Sequence, residues 1–302
     1  MSDFVQSKDD DLITIAVVLA CYNRCNTTLR CLRSVYKSVP PTVRLLIFLF
    51  DDASPDGTAK AVREQYPDVR IIEGDGNQFW CGGMRAAMSE AAKIRYDFLL
   101  WLNDDVELND DFIPVLLASY DRAKKEHGEL NVIIGAVADP MSGSLTYSGY
   151  RRLSRVHPAK LDKVQPDPSR LVQCDTMNGN CVLFPSQIVK MVGEIDRAYI
   201  QTIGDVDYGY RCVLAGAKLW VTSTTVGKCS PNTRVLAWQN NALSFVDRWK
   251  VLNTPHGQPL RPWIHFMFRF GGALGIGLLF WNYFKWLVIG LIPSRMRPTY
   301  RT

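Results

Sequence analysis

Four groups of residues have types and spacings suited to chemistry. Asn103, Asp104 and Asp105 follow directly on the apolar run FLLWL. Carboxylates at the end of a buried strand suit a hard divalent cation held by oxygen and shared with substrate phosphates. The plain alternative is that NDD only caps the next helix. Asp51 and Asp52 end another apolar run, RLLIFLF. One of them can accept a hydrogen bond from a base or a ribose, and DDASPDG also reads as an Asx-type turn; the two roles are compatible. In GNQFWCGGMRAAM, Gly74, Gly76, Gly82 and Gly83 let backbone approach a ligand, and Gly82–Gly83 opens a helix whose N-terminus favours phosphate. Arg85 adds a charge that can pair with a diphosphate; an ordinary loop is the alternative. In IGDVDYGYR, Asp205 and Asp207 begin a helix, where the dipole stabilises carboxylates. Two positions apart, they do not share a helix face and so have different jobs. Asp205 suits a general base facing a crevice, and Asp207 a structural or acceptor contact; two capping carboxylates would be the bland reading.

The elements around these groups must bring them together. Residues 13–20 (ITIAVVLA) and 44–50 (RLLIFLF) are continuous apolar runs, as in parallel strands buried on both faces. Residues 69–72 and 97–102 complete four strands in the first half. Helices follow each: from Asn26, which can cap it; from a cap at Asp56 through Tyr66; through Met84, Ala87, Met88 and Ala91; and from Asp110 or Asp111 to about Lys125. Strand–helix alternation implies a parallel sheet with helices on both faces, whose ligands lie outside the carboxyl ends of the strands. In the second half, 131–138 and 218–222 read as strands, 145–152 as hairpin material, 155–170 as a loop, and 205–215 as a helix stopped by Gly216.

Composition narrows the class. Of 302 residues, 47% are hydrophobic and 22% charged, which excludes a disordered tail or a disulfide scaffold. The net charge of +5 is too mild to suggest nucleic acid, and no such partner is expected. It is uneven: residues 248–302 carry eight Lys/Arg and no acid, leaving 27 basic against 30 acidic in the other 247. An acidic body with a basic, aromatic tail suggests a soluble domain leaning on a membrane. The eight cysteines include no CxxC pair and no zinc spacing with the four histidines, so reduced thiols in the cytosol are expected. The N-terminal stretch does not read as a signal peptide.

The order (A)CYNR, DDASPDGT, Gly-rich loop, LNDDVEL, GDVDYGYR…AG resembles the family 2 glycosyltransferases, which have the GT-A fold; the motifs span about residues 13–222. The resemblance implies an inverting transfer of a sugar from a nucleotide-diphosphate sugar, UDP- or dTDP-linked, to an acceptor hydroxyl, with Mg2+ or Mn2+. By the same resemblance, Ala20, Tyr22, Asn23 and Arg24 are nucleotide contacts, with Tyr22 free to stack on the base. Asp52, beside Asp51, reads a uracil-type base or its ribose, and Gly82, Gly83 and Arg85 lie near the diphosphate and donor sugar. Asn103, Asp104 and Asp105 occupy the place of the DxD motif, and Asp205 that of the catalytic base. With Asn103 in the first DxD position, Asp105 carries the metal. The His that some members supply after the last strand is absent from VGKCS, where Lys228 stands nearby.

The resulting expectation is a GT-A domain over 1–232, with a nucleotide-sugar half at about 12–108 and an acceptor half at about 109–232. A basic, aromatic, helical region fills 233–302. Residues 270–292 hold 23 residues with one charge, Lys285, enough to span a bilayer, yet Asn282 and clustered aromatics interrupt the middle. Helices lying in the cytoplasmic membrane surface are therefore favoured over a spanning helix or a buried one, with Arg261, Arg269, Arg295, Arg297 and Arg301 at the headgroups. That location suggests a lipid-linked glycan acceptor in surface polysaccharide assembly. Two rivals remain: a sugar-phosphate nucleotidyltransferase, which would want a Gly-rich basic first turn that CYNR lacks, and a non-catalytic nucleotide-sugar-binding membrane protein of the same fold.

Overall fold

Ile13–Cys21 forms the first strand, β1, of a computed structural model that describes residues 12–37, 39–232 and 243–291. After it come α1 (Cys25–Lys37), β2 (Val43–Asp51), α2 (Thr58–Gln65), β3 (Arg70–Glu73), α3 (Phe79–Ala91), β4 (Phe98–Leu102), β5 (Glu107–Leu108), α4 (Phe112–His127) and β6 (Asn131–Ala138). The second half adds β7 (Leu145–Tyr147), β8 (Gly149–Arg152), β9 (Leu161–Lys163), β10 (Val172–Cys174), β11 (Thr176–Met177), β12 (Cys181–Pro185), α5 (Ser186–Val192), α6 (Gly204–Leu214), β13 (Lys218–Lys228), α7 (Phe245–Leu252) and α8 (Leu260–Leu291).

The main sheet runs β10-β13-β6-β12-β4-β1-β2-β3, with β5 on β13 and β7 on β6. β1 pairs parallel with β2 and β4, β2 with β3, and β6 with β13. β12 is inserted antiparallel between β4 and β6. The sheet is thus mixed and mostly parallel: the alternation implies its parallel part, and β12 is the antiparallel addition. Side chains alternate between two apolar layers. Ala16 and Val18 of β1 join the layer covered by α3, α5, α6 and α8; Ile15, Val17 and Leu19 join the layer under α1, α2 and α4. This two-sided burial explains the unbroken apolar runs of β1, β2 and β4.

Three local expectations need correction. Residues 145–152 are no hairpin: β7 pairs with β6, whereas β8 turns into a separate small sheet with β9 and β11. Asn26 does not cap α1, which already begins at Cys25; the cap comes from across the site, where Asp56 Oδ2 accepts the Cys25 N–H at 2.8 Å. Asp111 does not cap α4 through its side chain, whereas Asp56 does serve the start of α2, its Oδ1 accepting the N–H of the first helical residue, Thr58, at 3.1 Å.

The C-terminal helices complete the first apolar layer. Trp263, Phe266, Met267, Leu279 and Tyr283 of α8 are buried in it. Gly272, with φ 64° and ψ −160°, breaks α8 into two arms. A left-handed φ of this kind is one that glycine adopts at little cost. Arg295, Arg297 and Arg301 lie outside the described residues.

Candidate active site

The carboxyl ends of β1, β2 and β4 and the N-termini of α3 and α6 carry the residues of interest. Four non-glycine residues have left-handed φ among the described residues: Asn23, Ala53, Phe79 and Ile203. Two immediately follow β1 and β2, one begins α3, and one precedes α6. Such backbone costs on the order of 1–3 kcal/mol per residue and clusters where surrounding structure imposes it for function. All four occurrences lie on turns that bear the predicted site residues.

Asp52 is 5% exposed and grips the glycine-rich loop: Oδ1 accepts the Gly76 N–H at 2.9 Å, and Oδ2 accepts those of Gln78 and Phe79 at 3.0 and 2.9 Å. A carboxylate has about four acceptor directions, so one remains for a ligand. Asp51, expected beside it at the nucleotide, has a structural task instead. Its oxygens accept the N–H groups of Ser54 and Ala59 at 3.0 and 3.1 Å, fixing the turn and the start of α2.

The glycines and Arg85 also differ from expectation. A side chain at Gly83 would sit 2.6 Å from Phe50 and 3.0 Å from Ala20 Cβ, so Gly83 and Ala20 let α3 lie close on the sheet. Gly82 is buried beside Gln78. Arg85 Nη1 donates to the carbonyls of Ile195 and Asp196, each at 3.0 Å, tying α3 to the segment before α6 rather than reaching for a phosphate. Tyr22 remains 55% exposed, its ring open for stacking. Asn23 donates its backbone N–H to Ser54 Oγ.

The acidic triplet divides three ways. Asn103 Oδ1 accepts from Trp80 Nε1 at 2.8 Å while its Nδ2 donates to Asn180 Oδ1 at 3.0 Å. Asp104 points inward, 4% exposed, toward Thr28 and Arg24; burial, outweighing Arg24, pushes its pKa up to about 6. Asp105 is the member that faces outward, and Arg24 Nη1 bridges it to Asp104 at 3.0 and 3.1 Å. Asp105 Oδ1 is buried without a hydrogen-bond partner. The end of β13 brings Cys229 beside it; burial first, then the Asp105 charge, pushes that thiol up to about 12. Lys228 is exposed on the same strand end.

An orphaned carboxylate oxygen of this kind fits one inner-sphere contact to a hard cation whose other positions belong to phosphate and water. No group of three or more His, Cys, Asp or Glu meets among the described residues, so a closed protein cage is not present there. Asp105 is the residue that would hold the ion.

Asp205 sits in the first turn of α6, with Oδ1 on the Val206 N–H at 2.8 Å and Oδ2 on the Gly179 N–H at 3.1 Å. Desolvation raises its pKa against those bonds. Asp207 turns to the opposite side, fully buried, and meets Tyr199, Arg211 and Arg269. The two carboxylates therefore have separate surroundings, as their spacing implies.

Trp80 joins the halves. Its indole N–H bonds Asn103, its backbone N–H donates to Gln201 Oε1 at 2.9 Å, and Gly179 lies so close that a Cβ there would be 2.7 Å from the ring. The same Gly179 anchors Asp205. Thus Asp52, the 76–80 loop, Asn103 with its neighbours, and Asp205 belong to one connected network. Trp80, Asn180, Gln201 and Tyr150 were not foreseen. Burial, with the Asp205 charge added to it, raises the Tyr150 hydroxyl. An aromatic inside a glycine-rich loop and the NGN turn at 178–180 were the signals available for Trp80 and Asn180; Gln201 and Tyr150 had none.

The sequence pattern of glycosyl transferase family 2 matches residues 16–175. Human polypeptide N-acetylgalactosaminyltransferase 16 is 21% identical over 202 residues, which cover 63% of this chain and 35% of that protein. GalNAc-T7, solved with UDP, GalNAc and Mn2+, superposes with a TM-score of 0.54 at 15% identity over 74% of this chain and 44% of that one. The mannosyltransferase PcManGT of Pyrobaculum calidifontis, in complex with GDP-Man and Mn2+, gives 0.51 at 16% identity over 93% and 87%. The chain spans about a third of the length of the human relative and less than half of GalNAc-T7.

Proposed function

Starting from a chain that belongs to glycosyl transferase family 2, we propose that it transfers a sugar from a nucleotide-diphosphate sugar, UDP- or dTDP-linked, to an acceptor hydroxyl with inversion. The observation that carries this reading is Asp205: a desolvated carboxylate of raised pKa, held at a helix start by two backbone N–H groups and joined through Gly179 and Trp80 to the strand ends of the nucleotide half. A raised pKa makes a carboxylate a stronger base at neutral pH.

The exposed Tyr22 stacks on the base, and the remaining acceptor direction of Asp52 takes one hydrogen bond from base or ribose. Arg24 holds Asp105 in place and adds positive charge next to the diphosphate. A divalent cation on Asp105, when bound, offsets charge on the leaving diphosphate. Asp205 takes the proton of the acceptor hydroxyl, which attacks the anomeric carbon from the face opposite the nucleotide. Single displacement of this kind inverts the configuration and requires no covalent enzyme intermediate.

We further propose that the protein rests on the cytoplasmic face of the membrane and takes a lipid-linked glycan. Leu260–Ile289 is long and apolar enough to cross a bilayer, but the Gly272 break and packing of one face on the core favour lying on it. The second arm presents Leu274, Phe280, Trp281, Phe284 and Leu291 to the outside, spaced along one helix face. Such an exposed stripe suits the interfacial zone of a bilayer.

The test is a thermal-shift panel of UDP-, dTDP- and GDP-sugars with Mn2+. A ligand that binds only the folded state raises its melting temperature. The reading expects a UDP- or dTDP-sugar to do so and then to release nucleoside diphosphate slowly without acceptor. A panel without any stabilising sugar nucleotide contradicts it; release of pyrophosphate from NTP and sugar phosphate would instead identify a nucleotidyltransferase.

A further inference from the structure

A cavity of about 570 Å3 lies between the segment preceding α6 and the start of α8, lined by Arg197, Ile200, Asn253, Leu260, Arg261 and His265 among others. Among the described residues no Asp or Glu lines it. Arg197 and Arg261 are exposed, and neither has a carboxylate partner among the described residues. Two neighbouring arginines differ in being neutralised: Arg211 pairs with Asp207, and Arg269 with Asp207 and Asp196. His265 Nε2 lies 3.1 Å from Asp196 Oδ2. The two arginines therefore give the cavity a surplus of positive charge. Arg261 stands in the first turn of α8, whose N-terminal dipole adds to that charge.

A chain of contacts links the cavity to the proposed site. Ile200, which lines it, accepts the Cys81 N–H through its carbonyl at 2.9 Å, and the next residue, Gln201, holds the N–H of Trp80. Trp80 packs on Gly179, the residue that anchors Asp205. On its other side, the cavity opens at the start of the helix that carries the exposed aromatic stripe. Leu260, Pro259 and Pro262 give it an apolar wall. Its volume is within the ordinary range of ligand sites and exceeds what a single phosphate needs.

We propose that this cavity binds the phosphate ester of the acceptor. Arg197 and Arg261 clasp the phosphate oxygens, and the apolar wall takes the first carbons attached to them. This rests on the glycosyltransferase reading and deepens it by giving the acceptor a chemical class, a phosphorylated amphiphile. Guanidinium groups match phosphate through paired N–H donors, which neither a neutral glycan nor a free sugar would use.

Calorimetric titration of farnesyl phosphate into the full chain, saturated with UDP and Mg2+, tests it. Arg197→Gln with Arg261→Gln should weaken farnesyl phosphate by about tenfold or more, the loss of two charge-assisted contacts, while farnesol binds both proteins alike. Circular dichroism verifies the fold, and Arg30→Gln, an exposed arginine on α1, is the charge control and leaves the affinity unchanged. Inorganic phosphate should compete with farnesyl phosphate. Equal affinity of wild type and double variant overturns the proposal. So does a loss of binding to phosphatidylglycerol vesicles with farnesyl phosphate affinity intact, because the arginines would then serve lipid headgroups. Failure of every sugar nucleotide to bind, with farnesyl phosphate still bound through the arginines, would sink the glycosyltransferase reading and spare the anion site.

Discussion

Arg269→Met removes the link between α8 and the helix that bears the proposed base. Asp207 is fully buried and accepts from Tyr199 Oη at 2.9 Å, Arg211 Nε at 2.7 Å and Arg269 Nη1 at 2.9 Å. Stripping a buried carboxylate of all its positive partners costs about 3–5 kcal/mol. Here Arg211 and Tyr199 remain, so the loss is that of one hydrogen bond to a charged group, about 1.5–3 kcal/mol. The Arg269 side chain is 33% exposed, and water screens part of its charge, which places the change toward the lower end, near 2 kcal/mol. Arg269 also meets Asp196 Oδ2 at 3.0 Å, where His265 Nε2 remains at 3.1 Å. For a chain of this size each kcal/mol moves the melting temperature by about 2–4 °C, so a fall of about 4–8 °C is expected. Thermal unfolding by circular dichroism measures it, and limited chymotrypsin digestion should cleave α8 sooner. Melting within 1 °C of wild type, with unchanged digestion, would refute the claim that α8 is latched to α6 through this carboxylate.

Three further outcomes are expected. Ile203→Gly relieves a left-handed β-branched residue but removes a side chain packed on the core, so strain relief of about 1–3 kcal/mol offsets a lost burial of similar size and stability should stay within about 1 kcal/mol while transfer slows, seen by urea unfolding and turnover together; a loss above about 3 kcal/mol would show that Ile203 is not strained. Trp281→Ser with Phe284→Ser removes two exposed aromatics from the outer face of α8 and should reduce sedimentation with phosphatidylglycerol vesicles by about tenfold or more without changing the melting temperature; unchanged sedimentation would mean this face is no membrane contact. Asp105→Ala should abolish the Mn2+ dependence of UDP binding while leaving a weak, metal-independent component, measured by calorimetry with and without chelator; a full Mn2+ effect in the variant would place the ion elsewhere.

Much of the nucleotide half could be read from the chain because burial on both faces leaves a plain trace. The runs ITIAVVLAC and VRLLIFLFD are β1 and β2, and NVIIGAVA is β6 over its whole length. Gly216, at φ 92°, stands just past α6, where its composition suggests a stop. The antiparallel insertion of β12 left no such trace, because CVLFP is equally apolar in either direction. The departure of β8 to a second sheet was hidden for a related reason: the strands 145–147 and 149–152 are consecutive and short, and only tertiary pairing separates them. At the site, residue types were legible but lone pairs were not. Asp51 and Asp52 are adjacent and identical in type, yet one closes a turn and the other holds the 76–79 loop. Arg85 had the charge for a diphosphate, and nothing local showed that the carbonyls of Ile195 and Asp196, 110 and 111 residues away, would take its guanidinium. Arg269 meets Asp207 62 residues back in the chain, a pairing that no local pattern encodes.

The four left-handed residues give the architecture a common cause. Each turn that follows β1 or β2, or that opens α3 or α6, is bent more sharply than its residue type favours. The bends aim Tyr22, the Asp52-held loop, Trp80 and Asp205 toward the strand ends. Asp56, capping α1 from the turn after β2, and Asp51, fixing the start of α2, hold those bends from below. The acidic residues around the site thus fall into two kinds, those that build the turns and those left free to act.

The role of Asp205 is tested most directly by Asp205→Asn, which keeps the size and one of the two backbone contacts but cannot take a proton. A general base contributes about 10²- to 10⁴-fold, so transfer from the sugar nucleotide found by the thermal-shift panel should fall by that factor while its binding stays near the wild-type value. In the wild type the rate should climb with pH through a limb above the usual aspartate range, because desolvation raises the Asp205 pKa and the base acts only when ionised, and the variant should lack that limb. Transfer by Asp205→Asn at the wild-type rate, with the limb intact, would contradict the account.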